Sequence, residues 1–246
     1  MQFIKSASLV SVVVLAASAV ACSSGSSTTP TTDAGTDAKK DTGVVTDSGG
    51  GDSGGGQCKP QDSSGFTPSA ATPPATAVGA CTTQDVTDFF DFCIDPGDNT
   101  KCTAMTKDTA KANCLKCLST PETATKWGAL VSDDQNLVRN NIAGCLQIKG
   151  DTACANATAQ SSECARFVCP DTVCPVPSGD KAALNALNKC LSDSAKTTCK
   201  TYADKANACG TPDSAAYAAC TADANSTNGF RDTYVKVANA ICVTGN

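Results

Sequence analysis

The sequence predicts an all-α fold: a small, disulfide-rich domain of short helical hairpins, preceded by a disordered linker. Three observations predict it. After residue 81, apolar residues recur at spacings of three and four, the helical period. Sixteen of the 17 cysteines lie between Cys58 and Cys242, where they can substitute for a conventional core. Residues 23–56 contain no aromatic residue, no Leu and no Ile, so they have nothing to fold around.

The chain opens with Lys5 in a short basic region and an uncharged apolar stretch from Ala7 to Ala21. A run of about 15 apolar residues is too short to span a bilayer as a helix, which needs roughly 20. It fits a signal peptide, residues 1–21, that is cut away. The small residues Ala19, Val20 and Ala21 directly precede Cys22. This signal resembles the lipobox of bacterial lipoproteins, with Ala19 where Leu is the usual choice. The resemblance implies that the Cys22 sulfur carries lipid and that the mature chain begins there. Ser23, rather than Asp, follows the anchor, which in Gram-negative members implies sorting to the outer membrane. These 22 residues speak to processing and address, not to fold or activity. Cysteine parity agrees: without Cys22, 16 remain, enough for eight disulfides. One acyl chain binds a membrane only marginally. The family's anchor carries three, which implies permanent attachment at the outer membrane or cell surface.

Residues 22–56 form the lipid anchor and a Gly/Ser/Thr/Asp tether with charge −3, five Asp against Lys39 and Lys40. As a flexible coil it would reach roughly 30 Å. Its Asp-Ala-Gly and Asp-Ser-Gly runs lack the ligand order of a calcium loop. Linkers of this composition resemble those on surface lipoproteins of social, predatory Gram-negative bacteria. Residues 57–80 stay rich in Pro, Ser and Thr and read as a loose strap that Cys58 pins to the domain.

Residues 81–246 are the Cys-rich helical domain. Leu, Ile, Val and Phe supply only 28 of the residues from 57 onward, a content at which chains are usually disordered unless something else holds them. Disulfides are that something. Ser132 and Gln135 form a capping-box pattern ahead of Val138, Ile142, Cys145 and Leu146, and Gly150 closes that segment. Asp180 caps a second segment with Ala183, Leu184, Leu187, Cys190 and Leu191 on one stripe. A third carries Phe230, Tyr234, Val237 and Ile241. Gly210 and Pro212 stop a helix ending at Cys209.

The cysteines recur as Cys-[Leu/Ile]-x7-Cys-x9–11-Cys at Cys93/Cys102/Cys114, Cys145/Cys154/Cys164 and Cys190/Cys199/Cys209. Such a period suggests a repeated helical hairpin. Each eight-residue gap flanks a short turn, so Cys93–Cys102, Cys145–Cys154 and Cys190–Cys199 are expected to bond. With Cys81, the first unit has gaps of 11, 8 and 11, similar to twin Cys-x9-Cys helical hairpins with nested disulfides, although the remaining cysteines do not fit that family. Nesting suggests Cys81–Cys114, and Cys220–Cys242 is expected at the C-terminal hairpin. The opposing arrangement, bonds between units, stays open.

The chain has no His, which removes His-based triads, His-ligated metals and pH switching near neutrality. Cys114-Leu115-Lys116-Cys117 is followed by Leu118, not the His of a c-type haem site, and no strand–helix context marks it as a redox motif. Zinc is disfavoured where disulfides form, so no metal or other cofactor is expected. Asp85, Asp88 and Asp91, followed by Asp95 and Asp98, read as a solvated helix face running into a Pro-Gly turn, and cation binding there stays open. Phe89, Phe90 and Phe92 read as core. The acidic balance argues against nucleic acid. The leading expectation is a non-enzymatic structural, adhesive or ligand-binding module with an extracellular or periplasmic partner. The alternative is an exported carboxylate-based hydrolase, which needs a pocket with two facing acids.

Overall fold

The computed structural model describes residues 58–244 apart from 96–97, 135–136, 178, 211–213 and 224. The signal, Cys22 and the tether lie outside the described residues. Helix starts are fixed by side chains that satisfy free backbone N–H groups. At α1 (Thr83–Phe89) the Thr82 hydroxyl accepts from the Asp85 N–H, and the Asp85 carboxylate accepts from the Thr82 N–H. A π-helical segment, Phe90–Ile94, continues it. Asp98 caps α2 (Asn99–Lys107), and α3 (Ala112–Leu118) follows a short 3-10 turn.

A small sheet comes next: β1 (Ser119–Pro121), β2 (Leu130–Ser132) and β3 (Val138–Asn140). The central β2 runs parallel to β1 and antiparallel to β3. It corrects the helix expected from Ser132, because Ser132 ends a strand and Val138 begins another; Gln135 lies outside the described residues. Leu130 and Val131 are fully buried, so tertiary packing overrides the local capping pattern. The helix begins instead at Ile142 (α4, Ile142–Ile148). Asn141 caps it through Oδ1, which accepts from the Gly144 N–H, while its Nδ2 donates to the Trp127 and Gly128 carbonyls. Two glycines make room here. A Cβ on Gly128 would sit 2.2 Å from the Cys117 carbonyl oxygen, and one on Gly144 would sit 2.4 Å from Asn141 Nδ2.

Asp151 caps α5 (Thr152–Val168), and Asp180 caps α6 (Lys181–Lys196), the latter as expected from the sequence. The chain continues through α7 (Lys200–Cys209), closed by Gly210, α8 (Ala215–Cys220), capped by Ser214, and α9 (Gly229–Ala238), extended by a π-helical segment, Asn239–Thr244. The described residues are thus mainly helical, with one three-stranded sheet.

Eight disulfides join the sixteen cysteines from Cys58 to Cys242. Cys93–Cys102 and Cys81–Cys114 are bonded, nested and centred on residues 97–98. The other expected pairs need correction. Cys145 bonds Cys220 rather than Cys154, Cys154 bonds Cys209, Cys190 bonds Cys169 rather than Cys199, and Cys199 bonds Cys164. Cys242 bonds Cys117, not Cys220. The reason is geometric. Helix α6 runs on to Lys196, so Cys190 sits six residues, about 9 Å at 1.5 Å each, from the turn that was to bring it beside Cys199. Cys145 and Cys154 do flank a turn but face different neighbours, α8 and the end of α7. Bonding is therefore between units. Cys117–Cys242, Cys145–Cys220, Cys154–Cys209, Cys164–Cys199 and Cys169–Cys190 lie one inside the next, all centred between residues 179 and 183. Gly179, in the left-handed conformation at φ 83°, marks that centre. Helices α5 and α7 are stapled at two points with equal ten-residue steps on each.

Two buried clusters result. The first gathers Val86, Phe90, Leu118, Leu130, Leu146, Tyr234, Val237 and Ile241. Phe90 and Tyr234 stack at 5.3 Å, and the Tyr234 hydroxyl donates to the Val86 carbonyl at 3.2 Å. Burial, with the Asp91 charge adding to it, pushes that phenol far above its ordinary range. The second cluster holds Leu137, Val168, Val176, Leu184 and Leu187 together with Cys164, Cys169, Cys174, Cys190 and Cys199. The strap is held more closely than its composition implies. The Gln61 N–H donates to the Val168 carbonyl, the Ala75 and Ala77 N–H groups to the Trp127 and Ile241 carbonyls, and the Trp127 N–H to the Pro73 carbonyl.

Candidate binding groove

Four members of the acidic row from Asp85 to Asp98 have structural tasks. Asp85 closes the α1 capping box and pairs with Lys111. Burial pushes the Asp85 carboxyl up, but hydrogen bonds from Lys111 and Thr82 outweigh it and hold it below its ordinary value. The same contact raises Lys111. Asp88 accepts from Gln84, Asp91 receives a bidentate pair from Arg231, and Asp98 caps α2. Pro96 and Gly97 lie outside the described residues. Phe89 and Phe90 are core, while Phe92 is half-buried with the Lys101 ammonium 5.0 Å from its ring centroid.

The two sulfurs of the Cys114-x-x-Cys117 motif belong to different disulfides, to Cys81 and to Cys242. They act as two staples on one helix rather than as a dithiol. The one grouping of metal-ligand side chains among the described residues is Cys58, Cys174 and Cys190. All three are oxidised, so none presents the thiolate that a metal needs.

A charged cluster joins the sheet to α5. Arg166 donates to Asp133 at 2.9 Å and approaches Glu122 at 3.5 Å, and Arg139 donates to Glu122 at 2.8 Å. The Arg139 guanidinium also lies 5.0 Å from the Trp127 ring centroid. Burial, then the neighbouring Arg166, lowers the Arg139 pKa, and Glu122 works against both. Two cations meet two carboxylates, so the cluster is neutral and satisfied. Sequence reasoning did not single it out, because its members come from separate loops, a strand and a helix.

A concave feature among the described residues is an open groove of about 670 Å³ beside the strap. Its floor is the strap backbone from Ala75 to Ala80 and the Cys117 staple, and its walls are Ala110, Asn113 and Lys116 from the α3 region and Lys126 from the β1–β2 connection. Ala75 and Ala77 spend their N–H groups inward, so Thr76 between them faces out and is exposed. Val78, at the Gly79 turn, is 64% exposed at the lip. Lys116 and Lys126 are both exposed, and among the described residues no carboxylate lines the groove. The groove can therefore hold negative charge and a small apolar group, but it lacks the paired acids that a carboxylate hydrolase requires. No protein family, curated protein or solved structure matches this chain. Among the described residues no helix is long and apolar enough to cross a membrane.

Proposed function

We propose that the chain is a lipoprotein of the outer membrane or cell surface, anchored through Cys22, that acts as a non-enzymatic binding module. One observation carries the reading: the sixteen cysteines from Cys58 to Cys242 use one another completely, so none of them is left as a partner for Cys22. That is the arithmetic a lipidated seventeenth cysteine demands. Eight disulfides also suit an oxidising compartment outside the cytoplasm. The lysine-walled groove is the surface on which we place contact with an acidic ligand, because on a chain of net charge −5 it brings two lysines together with no acid among its described lining residues.

Mass spectrometry of the N-terminal peptide tests the anchor, with a lipid-bearing Cys22 as its first residue expected. An unmodified peptide starting elsewhere contradicts it, as does unchanged membrane fractionation of Cys22→Ser. For the groove, the variant with both Lys116→Glu and Lys126→Glu is expected to lose at least tenfold in affinity for a polyglutamate probe. Unchanged affinity removes the groove from the reading and leaves the anchor standing.

A further inference from the structure

We propose that the Cys58–Cys174 bond is a thiol–disulfide exchange site whose reactant is an external thiol and whose internal acceptor is the neighbouring Cys169–Cys190 bond. Seven of the eight disulfides nest about two turns, and Cys58–Cys174 is the one that crosses the nest. Among the described residues it is also the one disulfide grouped with a sulfur of a second: the sulfurs of Cys58, Cys174 and Cys190 all lie within 4.8 Å of one another. Cys93–Cys102 and Cys154–Cys209 are reachable from solvent too, but among the described residues no third sulfur is grouped with either.

Exposure sets the direction of attack. Cys58 is half-buried at the start of the strap, whereas Cys174 and Cys190 are 2% and 1% exposed. An incoming thiolate therefore meets the Cys58 sulfur first. A bond forms between the external sulfur and Cys58 Sγ, the Cys58–Cys174 bond breaks, and its electron pair leaves on Cys174 Sγ. That thiolate stands beside Cys190. Its attack forms Cys174–Cys190, breaks Cys190–Cys169, and places the electron pair on Cys169, which takes up the proton that the external thiol gave off. One thiol is consumed as a mixed disulfide at Cys58, and one appears at Cys169.

The product keeps the fold closed. A Cys174–Cys190 bond is centred on residue 182, within the range of the five concentric bonds, and still ties α6 to the segment that follows α5. What is lost is the covalent hold on the strap at Cys58. The site thus converts a permanent clasp on the strap into one that thiols can open without loosening the helices.

The test treats the full chain, in detergent, with limiting reduced glutathione, quenches in acid, alkylates free thiols and maps peptides without reduction. Whenever Cys58–Cys174 opens, the expected major product carries glutathione on Cys58, a Cys174–Cys190 link and an alkylated Cys169. Glutathione on Cys58 with an alkylated Cys174 and an intact Cys169–Cys190 overturns the proposal, as does a Cys58–Cys174 bond that survives until the five concentric bonds are reduced. Cys58→Ser is a second route: it is expected to carry Cys174–Cys190 and a free Cys169, and a free Cys174 in the folded variant counts against the exchange. Where that variant fails to fold, the glutathione experiment on the natural chain decides alone.

Discussion

The two buried clusters of this domain are built on different physics. Around Tyr234 and Phe90, six of the 25 buried residues are cysteines, and the rest are largely aliphatic, aromatic or alanine. Around Leu184 and Leu187, five of ten are cysteines. The first cluster gains its stability from apolar area removed from water, at about 25 cal/mol per Å². The second has few large side chains to bury and depends on shortening the unfolded chain instead. The contrast shows how a sequence poor in Leu, Ile, Val and Phe still folds: it gathers its fully buried aromatics in one cluster and lets cystine make up half of the other.

Breaking this comparison should start in the cystine-rich cluster. Replacing both Cys164 and Cys199 with Ser removes the staple between α5 and the start of α7. The expected loss is about 2–5 kcal/mol. Hydrogen exchange should show it as lost protection across α5–α7, with protection retained around Val86, Tyr234 and Ile241. Equal loss in both clusters would mean that they fold as one unit.

On the other side, Phe90→Ala should cost about 3–5 kcal/mol by leaving a cavity against Tyr234 and Phe230. Urea denaturation under non-reducing conditions reads it. Leu184→Ala in the cystine-rich cluster should cost less than Phe90→Ala, because cross-links, not apolar contacts, carry that region. A larger cost for Leu184→Ala would invert the comparison.

The smallest effect concerns pH. The folded Asp85 carboxyl titrates below its ordinary value near 4, so its contribution is present above about pH 4 and is lost as pH falls through the lower folded value. Lys111 is raised, so its share is present below about pH 10.4 and is lost as pH rises beyond that. Asp85→Asn should flatten the acid limb of the stability profile and lower stability at neutral pH by about 1 kcal/mol, the scale of an N-cap. An unchanged acid limb would show that the Asp85–Lys111 pair does not set it.

Much of the helical architecture was legible. Asp180, Gly210 and the stripe Phe230, Tyr234, Val237 and Ile241 act through local rules of capping and period, and they sit where those rules put them. The sheet was not legible, because Leu130–Ser132 becomes a strand only when β1 and β3 flank it. The groove was not legible either, since its strap floor (75–80) and its walls (110–126) are at least 30 residues apart in the chain. The disulfides divide the same way. Cys93–Cys102 and Cys81–Cys114 follow from one local turn. The later cysteines carried a signal as well, but it is a reflection rather than a repeat: Cys154 and Cys164 mirror Cys209 and Cys199 about residues 181–182. A reading based on recurrence pairs neighbours across each short turn, whereas the chain folds back once on a larger scale.

The measurement that tests this account most directly is non-reduced peptide mapping of the natural protein. The expected result is Cys117–Cys242, Cys145–Cys220, Cys154–Cys209, Cys164–Cys199 and Cys169–Cys190, nested about Gly179. Finding Cys145–Cys154 and Cys190–Cys199 instead would contradict the fold-back architecture and restore a row of independent hairpins.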